Sequence, residues 1–166
     1  DTTGNAYQDT SVIGNLKLVG REAAAAQVTR GDAIVMILMA FDNEPLKDSK
    51  DNFSDATGEN AGYYAKAKAI GLTNGIGNNK VGAGLPMTRE MLYTMVYNMG
   101  TIEGKLPKTD ASAKDLSNFS DYKELAGWSV KAVKALAEAG LIKGDKLNPK
   151  GIVTTDEVQE LLNGLK

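Results

Sequence analysis

Histidine and cysteine are both missing from this 166-residue chain, and tryptophan occurs once. Without histidine or cysteine there is no Ser-His-Asp or Cys-His nucleophile system, no thiol redox chemistry and no usual zinc site. The missing cysteines leave the compartment open, because disulfides point outside the cell while their absence points nowhere. An excess of one charge is missing too. Nineteen basic groups stand against 21 acidic ones, a net charge of −2, which offers no electrostatic basis for general nucleic-acid binding. The longest apolar run, Ala33–Phe41, falls short of the roughly 20 residues that span a bilayer, so no membrane insertion is expected. The chain opens without a basic segment and apolar core of the signal-peptide kind, which fits a mature or excised form.

What the sequence does contain is repetition. Val28-Thr29-Arg30-Gly31-Asp32-Ala33, Met87-Thr88-Arg89-Glu90-Met91-Leu92 and Val153-Thr154-Thr155-Asp156-Glu157-Val158 share one local grammar. In each, a threonine is placed to cap a helix by accepting from an otherwise unpaired first-turn N–H. Asp32 and Glu157 complete a capping box three residues on, whereas Met91 breaks it. The flanking apolar pairs Val28/Ala33, Met87/Leu92 and Val153/Val158 sit at hydrophobic-staple positions.

A second element recurs upstream. Phe53-Ser54-Asp55 and Phe119-Ser120-Asp121 are near-copies, with Tyr7-Gln8-Asp9 a candidate third, and 35 positions separate Phe from capping Thr in both clear copies. Between them, Tyr63–Ile70 and Trp128–Ala139 read as helices ending at Gly71 and Gly140, each glycine opening a Gly-x-x-x-Gly segment. Glycine just past a last helical turn suits a left-handed cap. Variable loops follow at Ile76–Pro86 and Asp145–Ile152, and linkers at Asp42–Asn52 and Gly100–Asn118. Only 22 positions separate Tyr7 from Thr29, so the first copy is degenerate, with Gly20 its candidate counterpart of Gly75 and Gly144. Units this small cannot bury an apolar face alone and must pack together. The expected fold is mainly α, one composite domain over 1–166 with a degenerate repeat at 1–42 and fuller repeats at 50–100 and 117–166.

This ordered set resembles the S-layer homology module, a cell-wall anchoring unit of bacterial surface proteins. Phe53-x-Asp55, Tyr63-Tyr64, Gly71…Gly75 and Thr88-Arg89-Glu90 match its pattern in order, as do Phe119-x-Asp121, Trp128, Gly140…Gly144 and Thr154…Glu157. The resemblance implies three helix-loop-helix repeats packed around a pseudo-threefold axis, with the capped helices near its centre. It also implies grooves between repeats that bind secondary cell-wall polymer, a pyruvylated amino-sugar glycan whose carboxylate meets the arginine of the capping motif. Two departures stand out: Thr155 replaces that arginine in repeat 3, and Glu59 stands in repeat 2 where Trp128 stands in repeat 3. Fewer than three competent grooves are therefore expected.

Arg30 and Arg89 are two of only three arginines, Arg21 being the third, and both open a capped helix. A cation there opposes the helix dipole, yet a guanidinium beside free first-turn N–H groups suits a carboxylate. The alternative is an ion pair with an acid of the neighbouring repeat. Asp55 and Asp121 either cap the following turn or hydrogen-bond glycan. Trp128 either stacks on a sugar or anchors its helix. Tyr63 and Tyr64 lie about 100° apart on a helix, so one packs and the other faces a groove. Lys143, within the second Gly-x-x-x-Gly, is placed to meet an anion.

Phe53, Phe119 and the Met91/Met95/Met99 stripe read as core, with Met36 and Met39 similar, while Lys66, Lys68, Lys131 and Lys134 read as solvated faces. No cofactor or metal site is expected. Gly75-Ile76-Gly77-Asn78-Asn79-Lys80 lacks the third glycine and following Ser/Thr of a phosphate loop, and Asp42–Asp55 lacks the calcium-loop register. The leading expectation is a non-catalytic, extracellular module at the bacterial cell wall whose partner is an anionic wall glycan. The alternative is a structural module that binds other surface proteins in surface-layer assembly. No pair of carboxylates is marked out for glycosidase chemistry.

Overall fold

The computed structural model describes residues 27–165. The readings at Tyr7, Gly20 and Arg21 lie outside them. Five α-helices follow in order: α1 (Arg30–Ala40), α2 (Ala61–Ile70), α3 (Arg89–Glu103), α4 (Val130–Glu138) and α5 (Thr155–Gly164). Short 3₁₀ turns at Leu116–Asn118, Tyr122–Glu124 and Gly127–Ser129 lead into α4. Among the described residues β structure is limited to isolated bridges, so the fold is mainly α, as expected.

The three helix starts behave as the threonines dictate. Thr29 Oγ1 accepts from Asp32 N–H and Asp32 answers to the Thr29 N–H; Thr154 and Glu157 do the same. Thr88 accepts from Met91 N–H at 3.4 Å with no reciprocal bond, because methionine offers no acceptor. Gly71 (φ 79°) and Gly140 (φ 77°) take the left-handed conformation after α2 and α4, where a side chain would be strained. One boundary differs. The linker expected from Gly100 begins later, since α3 runs to Glu103 and Gly104 carries the left-handed cap. Lys105 folds back and its N–H donates to the Gly100 carbonyl at 2.8 Å, closing the last turn of α3.

Beyond its first turn α1 is apolar on every side, and Ala33 through Leu38 are fully buried. That environment explains the long apolar run: the helix lies inside the molecule, packed by α2, α3 and α5. Phe53, Phe119, Met95 and Met99 join this core as expected, Met36 with them, while Met39 and Met91 are only partly buried. Lys68 is less free than expected. It pairs with Asp51 at 2.7 Å and sits 5.6 Å above the Phe53 ring.

Just before the three caps, Val28, Met87 and Val153 close a ring of backbone hydrogen bonds. Val28 N–H donates to Val153, Val153 N–H to Met87, and Met87 N–H to Val28, each at 3.0 Å. The bridges Thr29↔Pro86, Thr88↔Ile152 and Gln27↔Thr154 follow the same cycle. Groups that the helices cannot satisfy are thus paired between repeats.

Candidate functional site

The first turns of α1 and α3 are stitched into the adjoining repeat. Arg30 and Gly31 N–H donate to Leu85 and Ala83 carbonyls at 2.8 and 2.9 Å. Arg89 and Glu90 N–H donate to Gly151 and Pro149 at 2.9 and 3.0 Å. The free first-turn N–H groups expected beside each arginine are therefore absent: the repeat interface consumes them. What remains at each of these helix starts is the guanidinium itself.

Two inter-repeat grooves carry those guanidiniums. The first, about 460 Å³, is lined by Arg30, the Gly-x-x-x-Gly segment from Leu72 to Ile76, the α3 face bearing Met91, Thr94, Met95 and Asn98, and Trp128 from repeat 3. Arg30 is only 6% exposed. Its Nε donates to the Val81 carbonyl at 3.1 Å and its Nη2 to Thr73 Oγ1 at 3.3 Å, both neutral acceptors. Among the described residues it meets no carboxylate. Burial lowers its pKa from the ordinary value, yet a guanidinium stays charged in proteins, so this is a desolvated cation without a counter-charge among the described residues. Across the same groove Trp128 is 58% exposed. The ring thus stands at the groove rim.

The second groove, about 240 Å³, is lined by Arg89, Tyr93, Leu141 to Lys143, Lys146, Glu157 and Glu160, among others. Here the guanidinium is occupied. Arg89 Nε meets Glu157 Oε2 at 2.7 Å and Nη2 meets Oε1 at 2.8 Å, a two-pronged pair with an acid of the neighbouring repeat. Gly151 leaves the room it needs, since a side chain there would collide with the Arg89 guanidinium. Burial pushes the Tyr93 hydroxyl up to about 12, so it stays protonated and able to donate. Lys143 lines this groove, its ammonium beside the Gly140 carbonyl at 3.4 Å.

The remaining residues fall elsewhere. Asp55 does not cap the turn that follows it. Its two oxygens accept from Val81 and Gly82 N–H at 2.8 and 3.0 Å. Asp121 likewise accepts from Leu147 and Asn148 N–H at 2.7 and 2.9 Å. Backbone N–H groups 26 and 27 positions away compete better for these carboxylates than the local turn does, because they are otherwise unpaired loop donors. Tyr64 is buried, its hydroxyl against Gly31, and Tyr63 is partly buried on the core; neither lines the two grooves.

Sequence reasoning missed Glu90, Thr73 and Asn74. Glu90 is 3% exposed and accepts from Ala126 N–H, Ser129 Oγ and Lys150 Nζ at 2.9, 3.1 and 2.5 Å. Burial raises its pKa, but the bonds from Lys150, Ala126 and Ser129 outweigh that, and the net shift is downward. Asn74 was discoverable, since it holds the position in the first Gly-x-x-x-Gly that Lys143 holds in the second.

Residues 118–157 match the S-layer homology domain family. Such domains are non-catalytic modules that attach proteins to the cell wall or surface. The match takes in Phe119, Asp121, Trp128, Lys143, Thr154 and Glu157, so the matched stretch supplies the rim of the first groove and part of the lining of the second. The chain is also 25% identical to Exoglucanase XynX of Acetivibrio thermocellus over 213 aligned positions, covering 99% of this chain and 19% of that protein. It thus spans about a fifth of that relative's length.

Proposed function

We propose that this chain is an extracellular anchoring module that holds an anionic secondary cell-wall polymer, a pyruvylated amino-sugar glycan, in the groove of Arg30 and Trp128. The observation that carries the reading is the buried Arg30 guanidinium, without a carboxylate partner among the described residues, opening onto the same groove as an exposed tryptophan. A buried cation without a counter-charge is costly, and an incoming carboxylate offsets that cost. The indole face suits the apolar face of a sugar ring. Thr73, Asn74, Thr94 and Asn98 supply hydroxyl and amide partners for sugar hydroxyls. In this reading three repeats pack around a pseudo-threefold axis, which the closed Val28–Met87–Val153 ring supports.

Retention on purified bacterial sacculi, before and after chemical removal of the secondary polymer, tests this. Stripped sacculi should lose the protein. Trp128→Ala should weaken retention roughly three- to tenfold without changing stability, the range expected for one aromatic contact. Retention that survives stripping would overturn the glycan reading in favour of a protein-binding surface module.

A further inference from the structure

Asparagine followed by glycine occurs twice in the chain, at Asn74-Gly75 and Asn163-Gly164. This dipeptide carries a chemistry of its own. The backbone nitrogen after an asparagine can attack the side-chain amide carbon, and a glycine there leaves the approach open because it has no Cβ.

The fold treats the two copies differently. Asn163 and Gly164 lie in α5, so the Gly164 N–H belongs to the helical ladder and Asn163 is held to one backbone conformation. The Asn163 amide is also engaged, its Oδ1 accepting from Gln159 Nε2 at 3.0 Å. Asn74 instead stands in irregular chain beyond Gly71, exposed, with no hydrogen-bond partner for its amide among the described residues. Gly75 takes a left-handed φ of 84°, and a side chain there would collide with the Lys80 carbonyl, so this position stays glycine. Its N–H donates to Thr73 Oγ1 at 3.0 Å, a local bond at the surface and a weaker restraint than a helical ladder.

We propose that Asn74 is a self-modifying position: in the folded protein its amide converts to a carboxylate, and this loosens the hold of the Arg30 groove on an anionic ligand. The second half rests on the glycan reading above. Gly75 N gives its proton to hydroxide and bonds to Asn74 Cγ. The Cγ–Nδ2 bond breaks, and the nitrogen leaves as ammonia with a proton from water. The five-membered cyclic imide that results adds one water. Opening at one carbonyl yields aspartate, and opening at the other yields isoaspartate, whose backbone is one carbon longer. Either product sets a negative charge in the groove wall, next to the Thr73 hydroxyl that accepts from Arg30 Nη2 at 3.3 Å. That charge repels an incoming carboxylate, and the longer backbone displaces the Thr73–Gly75 segment that lines the groove.

Peptide mapping that separates asparagine, aspartate and isoaspartate forms tests the first half. Held folded in mildly alkaline buffer, Asn74 should convert at least about tenfold faster than Asn163. In urea, with both sites released from the fold, the two rates should come within about threefold of each other. An Asn74 that stays intact in the folded protein, an Asn163 that keeps pace with it, or a tenfold gap that survives in urea overturns the proposal.

Calorimetry with a synthetic pyruvylated N-acetylhexosamine reads the consequence. Converted protein should bind at least about tenfold more weakly than fresh protein. Asn74→Gln, aged equally and compared with its own fresh sample, should not change, because glutamine closes the corresponding ring far more slowly. Converted protein that binds like fresh protein overturns the loss of hold. Fresh protein that does not bind the sugar sinks the glycan reading instead, while the mapping still decides the chemistry at Asn74.

Discussion

Asp55 accepts a hydrogen bond from Val81 N–H at 2.8 Å across 26 positions of chain. Asp121 repeats the arrangement with Leu147 at 2.7 Å, again across 26 positions. The aromatic-x-Asp element is thus a two-part fastener. The aromatic enters the core, and the aspartate pins the loop that leads into the next capped helix. In repeat 2 that pinned loop presents the Val81 carbonyl to Arg30, so the fastener also sets one partner of the groove's cation.

Asp55→Asn should destabilise the protein by about 1–2 kcal/mol, because an amide offers one acceptor oxygen and turns its own N–H₂ toward a second donor. Urea unfolding at neutral pH checks this. An unchanged midpoint would show that the loop stays closed without the carboxylate.

Stability should fall in acid and be flat near neutrality. The Val81 N–H bond holds Asp55 below its ordinary value of 3.8, and at Asp121 the Leu147 and Asn148 bonds outweigh the opposing effect of burial. Glu90 is also shifted down from 4.5. With folded values depressed, the unfolded chain binds more protons in this range, so stability rises with pH there. The contribution is complete above about pH 5.5 and drains as pH falls through the ordinary values toward the folded ones. Without histidine, no side chain of ordinary pKa titrates between about pH 5 and 8. Urea midpoints from about pH 7 down to about pH 3 should show a plateau and then a decline, shallower in Asp55→Asn/Asp121→Asn.

The parts of this fold set by local chemistry could be read from the chain. Thr29, Thr88 and Thr154 start helices, Gly71 and Gly140 end them, and the broken box at Met91 is visible in sequence. Relationships between repeats were harder. The pairing of Arg89 with Glu157 and the aim of Asp55 at Val81 depend on how units dock, which no local pattern encodes. The first-turn N–H groups looked free because a helix start leaves them unpaired. The carbonyls of Ala83 and Leu85 that satisfy them belong to another repeat. Trp128 illustrates the same limit, since both of its readings fitted the sequence and its exposed place at the groove rim follows from how the units dock.

The three caps should not be worth the same. Thr29 and Thr154 sit in reciprocal boxes, while Thr88 makes a single long bond. Removing a capping threonine costs about 0.5–2 kcal/mol, so Thr88→Ala should fall near the lower end and Thr29→Ala near the upper. Thermal unfolding of the two variants tests the ordering. A larger loss for Thr88→Ala would mean that the reciprocal carboxylate contributes nothing.

Glu90 should matter more than its partner Lys150. The carboxylate is buried, whereas the lysine side chain is 59% exposed and regains water when the pair breaks. Glu90 also retains Ala126 N–H and Ser129 Oγ after Lys150 is lost, and those two donors bracket the turn that carries Trp128. Glu90→Ala should therefore cost about 2–4 kcal/mol and Lys150→Ala about 1 kcal/mol or less. Being the chain's sole tryptophan, Trp128 reports on its own turn. Its emission anisotropy should drop in Glu90→Ala, and polymer retention should weaken with it, while Lys150→Ala should leave both near the unmodified values. Equal losses in the two variants would show that the ammonium, rather than the buried donors, holds Glu90 and the Trp128 turn in place.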